Sequence, residues 1–285
     1  MNGERLFSGI VRLLTLLAVS ILGFIIVFIA LESMPAIKYA GLKGMFGFER
    51  WNPVGSPPVI SILPMIVATV YVSLLAVAIA LPVGVGSAVF LSCIAPDWLR
   101  KMLRPFIDIM AGIPSVVYGF IGLIVVVGSI EDYTELSSGE SVLAGGIILA
   151  IMTLPYIVST CDESMVAVIR QYEKASKVLG VSRGHMISHL VLPGSKRAIL
   201  AGTVLSFARA SGETMAVMMV IGNSPIFPRL MGKSQTIPSL IALEMGGAQI
   251  DSIHYHALFA AGLVLMIIRF VINMAFYYIK KGMQI

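Results

Sequence analysis

Cysteine, histidine and charge are scarce in this chain: two Cys, four His and 12% Asp, Glu, Lys and Arg among 285 residues. That count excludes a disulfide framework. Cys93 and Cys161 fall near the ends of apolar runs that read below as cytoplasmic, where reducing conditions disfavour a bond between them. His185 and His189 share an i, i+4 face as metal ligands do, yet no third ligand lies near them, and His254 and His256 carry no clear signal. No phosphate loop of the form G-x-x-x-x-G-K followed by Ser or Thr is present, so nothing reads as an ATP-hydrolysing site. An intramembrane protease would need a paired Ser and His, or carboxylates at facing depths, and neither pattern occurs. No low-complexity tract, short repeat or soluble domain interrupts the chain.

What is abundant is apolar. Hydrophobic residues make up 58% of the chain and the mean hydropathy is +0.94, more than a soluble core requires. Six runs approach the length of about 20 residues that spans a bilayer: Val11–Leu31, Leu63–Leu91, Ile109–Ser129, Val142–Ser159, Ile199–Ile221 and Ala257–Ile279. The expected fold is therefore all-α, a polytopic integral membrane protein of about six transmembrane helices. The second run is long and carries Pro82, so a kink or tilt is expected there. The first is too long for a secretory leader and has no convincing cleavage site, which makes it an uncleaved anchor. Residues 1–62 are expected to form that anchor and an external loop, and 63–285 the main membrane domain.

Positive charge sets the orientation, because cytoplasmic loops retain Lys and Arg during insertion. Arg5, Arg12, Arg100, Lys101, Arg104, Arg170, Lys174, Lys177, Arg183, Lys196, Arg197, Lys280 and Lys281 all fall on one side; the opposite side has Lys38, Lys43, Arg50, Arg229 and Lys233, and its loop from Ile130 to Ser141 has four acids and no base. Both termini are thus expected in the cytoplasm of a multi-pass cell-membrane protein. The net charge of +5 reports this topology rather than nucleic acid binding.

One connecting segment, Cys161 to Arg197, is patterned. Glu173, Lys174, Ala175, Ser176 and Lys177 read as a short charged helix that Gly180 ends, since glycine tolerates the left-handed conformation. Ser182 can cap a second helix with Met186, Ile187, Leu190 and Val191 on one face, and Pro193 is expected to stop it beyond Leu192. Two readings remain open on physics alone: a docking surface for a soluble partner, or an amphipathic loop on lipid headgroups.

The fifth run holds a costly feature. Arg209 and Glu213 lie four residues apart on one helical face, between Ile199, Leu200 and Leu205 and Val217, Val220 and Ile221. A charge at the bilayer centre costs about 2.5–3.5 kcal/mol even on the lower scales, so the pair should face another helix or a water-filled path. It is either a self-neutralising structural ion pair or a functional site. Elsewhere, Ala111-Gly112-Ile113-Pro114-Ser115 and Leu154-Pro155 suit helix crossings or a gate, and Asp108 reads as a carboxylate in the first helical turn after Pro105.

The run from Lys174 through Gly180 to Leu190-Val191-Leu192-Pro193 resembles the cytoplasmic motif of ABC importer permeases, written E-A-A, three residues, G, nine residues, I-x-L-P. The spacing from Gly180 to Leu192-Pro193 fits. At the start Lys174 occupies the Glu position, Ala175 and Ser176 the small ones, and Glu173 is one residue early. Three further stretches narrow the resemblance to the PstC-type permeases of phosphate importers: Leu103-Arg104-Pro105 with Ala111 to Phe120, Gly212-Glu213-Thr214-Met215-Ala216-Val217 leading to Ile221-Gly222-Asn223, and Ala257 to Leu263.

That resemblance implies a type I ABC importer permease (MetI-like) fold in which the 161–197 segment carries a coupling helix. Its ATPase contacts would come from Glu173, Lys174, Ala175, Ser176, Gly180, Leu192 and Pro193, and its substrate pathway from Arg209 and Glu213. It implies a PstA-type sister permease, a dimeric PstB-type cytoplasmic ATPase that binds ATP and Mg, an external PstS-type phosphate-binding protein, and inorganic phosphate as substrate. No cofactor is expected in this chain. A guanidinium fork suits phosphate oxygens, and a carboxylate could accept the proton that phosphate keeps near neutral pH; Glu213 would then select the protonated anion, or else merely hold Arg209. The alternatives are a permease for another oxyanion, or an ion-coupled secondary transporter, which would need no ATPase.

Overall fold

A computed structural model describes residues 2–134 and 138–282. The chain runs α1 (Asn2–Met45), a two-residue antiparallel ribbon β1 (Trp51–Asn52) and β2 (Val59–Ile60), α2 (Leu63–Val89), α3 (Asp97–Gly112), α4 (Ser115–Ile121), α5 (Gly128–Tyr133), α6 (Val142–Val178), α7 (Arg183–Met186), α8 (Leu192–Gly194), α9 (Lys196–Ala210), α10 (Met215–Val220), α11 (Ile237–Glu244) and α12 (Ile253–Gly282). Single π-helical segments extend α2 (Phe90–Ile94), join α4 to α5 (Gly122–Val127) and join α7 to α8 (Ile187–Val191). Among the described residues, five stretches are long and apolar enough to cross a membrane. The fold is helical and polytopic, as the runs of apolar residues require.

The parallel pair α2 and α6 forms the centre, with Leu75 beside Gly146 and Gly84 beside Ile157 further along both helices. Val72, Ala76 and Ala80 of α2 meet Ile148, Leu149, Met152 and Ile157 of α6, all nearly solvent-free. Lipid is as apolar as leucine, so close packing rather than water exclusion holds such helices together. Gly84 against Ile157 and Gly146 against Leu75 leave no room for a Cβ and set the spacing. A second cluster joins Ala36, Met45, Trp51 and Ile60 to Met65, Leu240 and Leu258, seating the ribbon and α11 between α1 and α12. The Trp51 indole donates to Glu244 Oε2 at 2.9 Å and His254 Nε2 lies 2.8 Å from the same oxygen, while His256 Nδ1 lies 2.9 Å from the Glu32 carbonyl. The two histidines that carry no signal in the sequence thus fasten α12 to α11 and α1.

Four expectations change. The third crossing begins at Ser115, not Ile109, because Pro114 separates it from α3. Pro105 lies inside α3, so Asp108 sits near that helix's C-terminal end and Asp97 supplies the first-turn acid. The segment from Cys161 to Val178 is no loop: it is the continuation of α6, and Glu173–Lys177 is its last part rather than a separate helix. The fifth crossing is interrupted, with α9 ending at Ala210 and α10 starting at Met215.

The prolonged end of α6 is clamped by α3. Arg100 Nη2 donates to both oxygens of Asp162 at 3.0 and 2.9 Å, and Arg104 Nη1 donates to Oδ2 at 3.0 Å. Asp162 is 6% exposed at its side chain, so the two guanidinium groups are what make its burial tolerable.

Candidate functional site

The interruption between α9 and α10 creates the site. Ser211 and Gly212 are weak helix formers, and a side chain inserted into the hydrogen-bond ladder is a known cause of helix breaks. Here the carbonyl of Ala208, which a continuous helix would bond to the Gly212 N–H, instead accepts Ser211 Oγ at 3.0 Å and Arg269 Nη2 at 2.9 Å. The Gly212 N–H turns to the Arg209 carbonyl at 3.1 Å. Gly212 also has no side chain where one would strike the Arg269 guanidinium.

Arg209 and Glu213 consequently do not share a helical face, and no ion pair joins them. The Arg209 guanidinium carbon lies 4.5 Å from the centroid of the Tyr156 ring of α6, a cation–π contact. Glu213 belongs to the break; its Oε1 accepts from the Ala216 N–H at 3.4 Å, at the first turn of α10 where a carboxylate complements the helix dipole. Arg209 opens onto a cavity of about 450 Å3 lined by Tyr156, Leu205, Ala208, Arg269 and Asn273. Arg269 is the residue that the sequence reading passed over. Its signal was present, as a lone cation in an otherwise apolar final run.

A second candidate element is the hairpin that follows α6. Gly180 takes φ +65°, its N–H bonds to the Lys177 carbonyl at 3.3 Å and the Val181 N–H to the Ser176 carbonyl at 2.9 Å, the two bonds of a Schellman turn. Ser182 accepts from the His185 N–H at 3.3 Å and starts α7. Glu173 pairs with Lys177 at 2.6 Å, so the acid one residue early in the motif still finds a base one turn on; Lys174 makes no such pair among the described residues. Ser176, Met186 and Val191 are buried against the body, whereas Val178 and Leu179 at the tip are 86% and 76% exposed. Pro193 does not stop the helix at Leu192. The π-turn bonds the Leu192 N–H back to the Ile187 carbonyl, the helix runs on to Gly194, and the chain bends at Ser195 (φ −94°, ψ 2°).

Replacing Gly180 by Val forces a β-branched residue into positive φ, a strain of about 1–3 kcal/mol. The expected result is a hairpin tip at the wrong angle and loss of partner-driven activity, while the membrane core remains folded. Co-purification of Gly180→Val with the partner ATPase that the resemblance implies, and the activity stimulated in it, check this; wild-type values for both would exclude the hairpin from the coupling role expected of it.

Comparison with known proteins adds three findings. The family described as binding-protein-dependent transport system inner membrane component matches residues 80–285. The chain is 36% identical over 237 residues to the probable ABC transporter permease protein YqgH of Bacillus subtilis, covering 83% of this chain and 77% of that protein. It is 34% identical over 257 residues to the phosphate transport system permease protein PstC of Xylella fastidiosa (83% and 78% covered), and 32% identical over 286 residues to the probable PstC of Methanocaldococcus jannaschii (93% and 89%). Among solved structures, an inward-facing MetNI methionine ABC transporter aligns with a TM-score of 0.60 at 12% identity, over 78% of this chain and 95% of that one, a likeness of fold alone.

Proposed function

Because the chain belongs to the family of binding-protein-dependent transport system inner membrane components, we propose that it is the membrane permease subunit of an ATP-driven phosphate importer. It forms half of the translocation path and couples to a cytoplasmic ATPase. The observation that carries this reading is Arg209: a fixed cation at the break of an apolar crossing, opening onto a cavity and meeting no carboxylate among the described residues. Such a charge cannot face lipid, and a planar donor fork suits a tetrahedral oxyanion. The PstC relatives, whose names describe phosphate transport, support phosphate as that anion.

The mechanism divides the labour. ATP and Mg are bound and hydrolysed by a dimeric partner, to which the exposed Val178 and Leu179 at the hairpin tip, flanked by Lys174, Lys177 and Arg183, offer an apolar contact with a basic rim. The chain carries no ATPase site of its own. Movement received there passes along α6, which is one helix from the hairpin to the opposite face and carries Tyr156 against Arg209 on its way. A sister permease completes the path, and an external binding protein delivers the anion. Glu213 lies beside the path and holds the start of α10.

The test is uptake of labelled phosphate by vesicles containing the four-component complex. Uptake that needs ATP supports the reading; uptake driven by an ion gradient without ATP makes the chain a secondary transporter and overturns it.

Orientation follows from the positive charges, with both termini and the hairpin in the cytoplasm. After Cys93 and Cys161 are replaced, a membrane-impermeant thiol reagent applied to intact cells is expected to label a cysteine at Ser138 and to leave one at Ser182 untouched. The reverse pattern inverts the topology.

A further inference from the structure

Resting on that reading, we propose that Arg269 of the last crossing is a second anion-binding residue, which with Arg209 and the Asn273 amide forms a two-guanidinium seat for a tetrahedral oxyanion. Arg269 lies 16 residues into α12, roughly 24 Å along the helix at 1.5 Å per residue, well inside the crossing. One of its N–H groups is spent on the Ala208 carbonyl at 2.9 Å. Arginine has five such donors in a rigid fork, and Arg269 makes no ion pair among the described residues. The bond to Ala208 therefore fixes the guanidinium without using up its hydrogen-bonding capacity.

Arg269 lines the same cavity as Arg209, beside Asn273, and Gly212 leaves the space the guanidinium fills. Glu213, the acid nearest to Arg209 in sequence, is turned to the Ala216 N–H instead. Two cations held at one cavity repel each other unless a negative charge lies between them, and an oxyanion with several acceptor oxygens supplies it while accepting from both forks.

The experiment is ATP-driven phosphate uptake by the complete reconstituted complex carrying Arg269→Gln, Arg269→Lys or Gly212→Ala, with KM and Vmax measured at matched amounts of assembled complex. Arg269→Gln removes the charge and, because its amide ends two bonds short of Nη2, also loosens the brace on the Ala208 carbonyl. It is expected to raise KM about tenfold or more, the effect of losing a hydrogen bond to a charged group. Lys restores the charge and is expected to recover most of the affinity. Gly212→Ala changes no charge but displaces the guanidinium, and is expected to raise KM as well; it decides the matter if Arg269→Gln does not assemble. An unchanged KM in Arg269→Gln, or in Gly212→Ala when the former cannot be assembled, overturns the proposal and leaves Arg269 as a brace. So does a KM raised equally by Gln and Lys. The underlying reading fails separately, through absence of ATP-dependent phosphate uptake by the wild-type complex.

Discussion

Arg209→Gln is expected to abolish ATP-driven phosphate uptake, a fall of about a hundredfold or more, while the complex still assembles. A hydrogen bond to a charged group contributes about 1.5–3 kcal/mol, and here the fork, the fixed charge and the contact with the Tyr156 ring disappear together. Assembly survives because Arg209 holds no ion pair among the described residues and is exposed at the cavity rather than packed in the α2–α6 core. Glu213→Gln is expected to be much milder. An amide oxygen still accepts from the Ala216 N–H, so the loss is the helix-dipole contribution of about 0.3–1 kcal/mol. If the carboxylate also selects protonated anions, the same substitution admits sulfate, which carries no proton to donate. Uptake of both anions, normalised to assembled complex, separates these outcomes. Normal phosphate uptake by Arg209→Gln would exclude an anion path along this face.

Asp162→Ala is expected to destabilise the protein by about 3 kcal/mol, the low end of the range for removing one partner of a buried ion pair. The low end applies because Arg100 and Arg104 keep 25% and 44% of their side-chain exposure and regain some hydration. Two guanidinium groups then face each other at the α3–α6 contact with no acid between them. Asp162→Asn keeps the shape and one acceptor and should fall between. A thermal melt of the detergent-purified complex reads this directly, and a midpoint unchanged from wild type would mean that α3 is held by something other than the clamp.

Much of the fold is legible in the sequence because a bilayer demands long apolar runs, and both ends of α2 and α12 and the start of α6 fall close to the runs that announce them. The hairpin is legible too, since Gly180 and Ser182 act through local backbone chemistry that spacing reveals. Hydropathy fails where a polar helix simply continues, as α6 does past Cys161, because composition changes at the membrane edge while hydrogen bonding does not. It fails again at Ser211-Gly212, where the freed Ala208 carbonyl is taken up by Arg269, 61 residues along the chain from Ala208. The Asp162 clamp is invisible for the same reason, its partners lying 62 and 58 residues off. Arg209 could be singled out as a charge among apolar neighbours, but its cation–π partner and the absence of a bond to Glu213 are properties of the packed helices.

The interrupted fifth crossing bears on how the protein enters the membrane during synthesis. At 1.5 Å per residue the 15 residues of α9 reach roughly 22 Å and the six of α10 roughly 9 Å, so neither half alone spans a hydrocarbon layer of about 30 Å. Between them, the Ala208 carbonyl has lost its backbone donor and is held by the Ser211 hydroxyl alone until the Arg269 guanidinium arrives from α12, which leaves the ribosome later. The last helix therefore completes the one before it: a nascent chain stopped after Ile221 holds the fifth segment as a marginal insertion, and only translation through α12 commits it to its place.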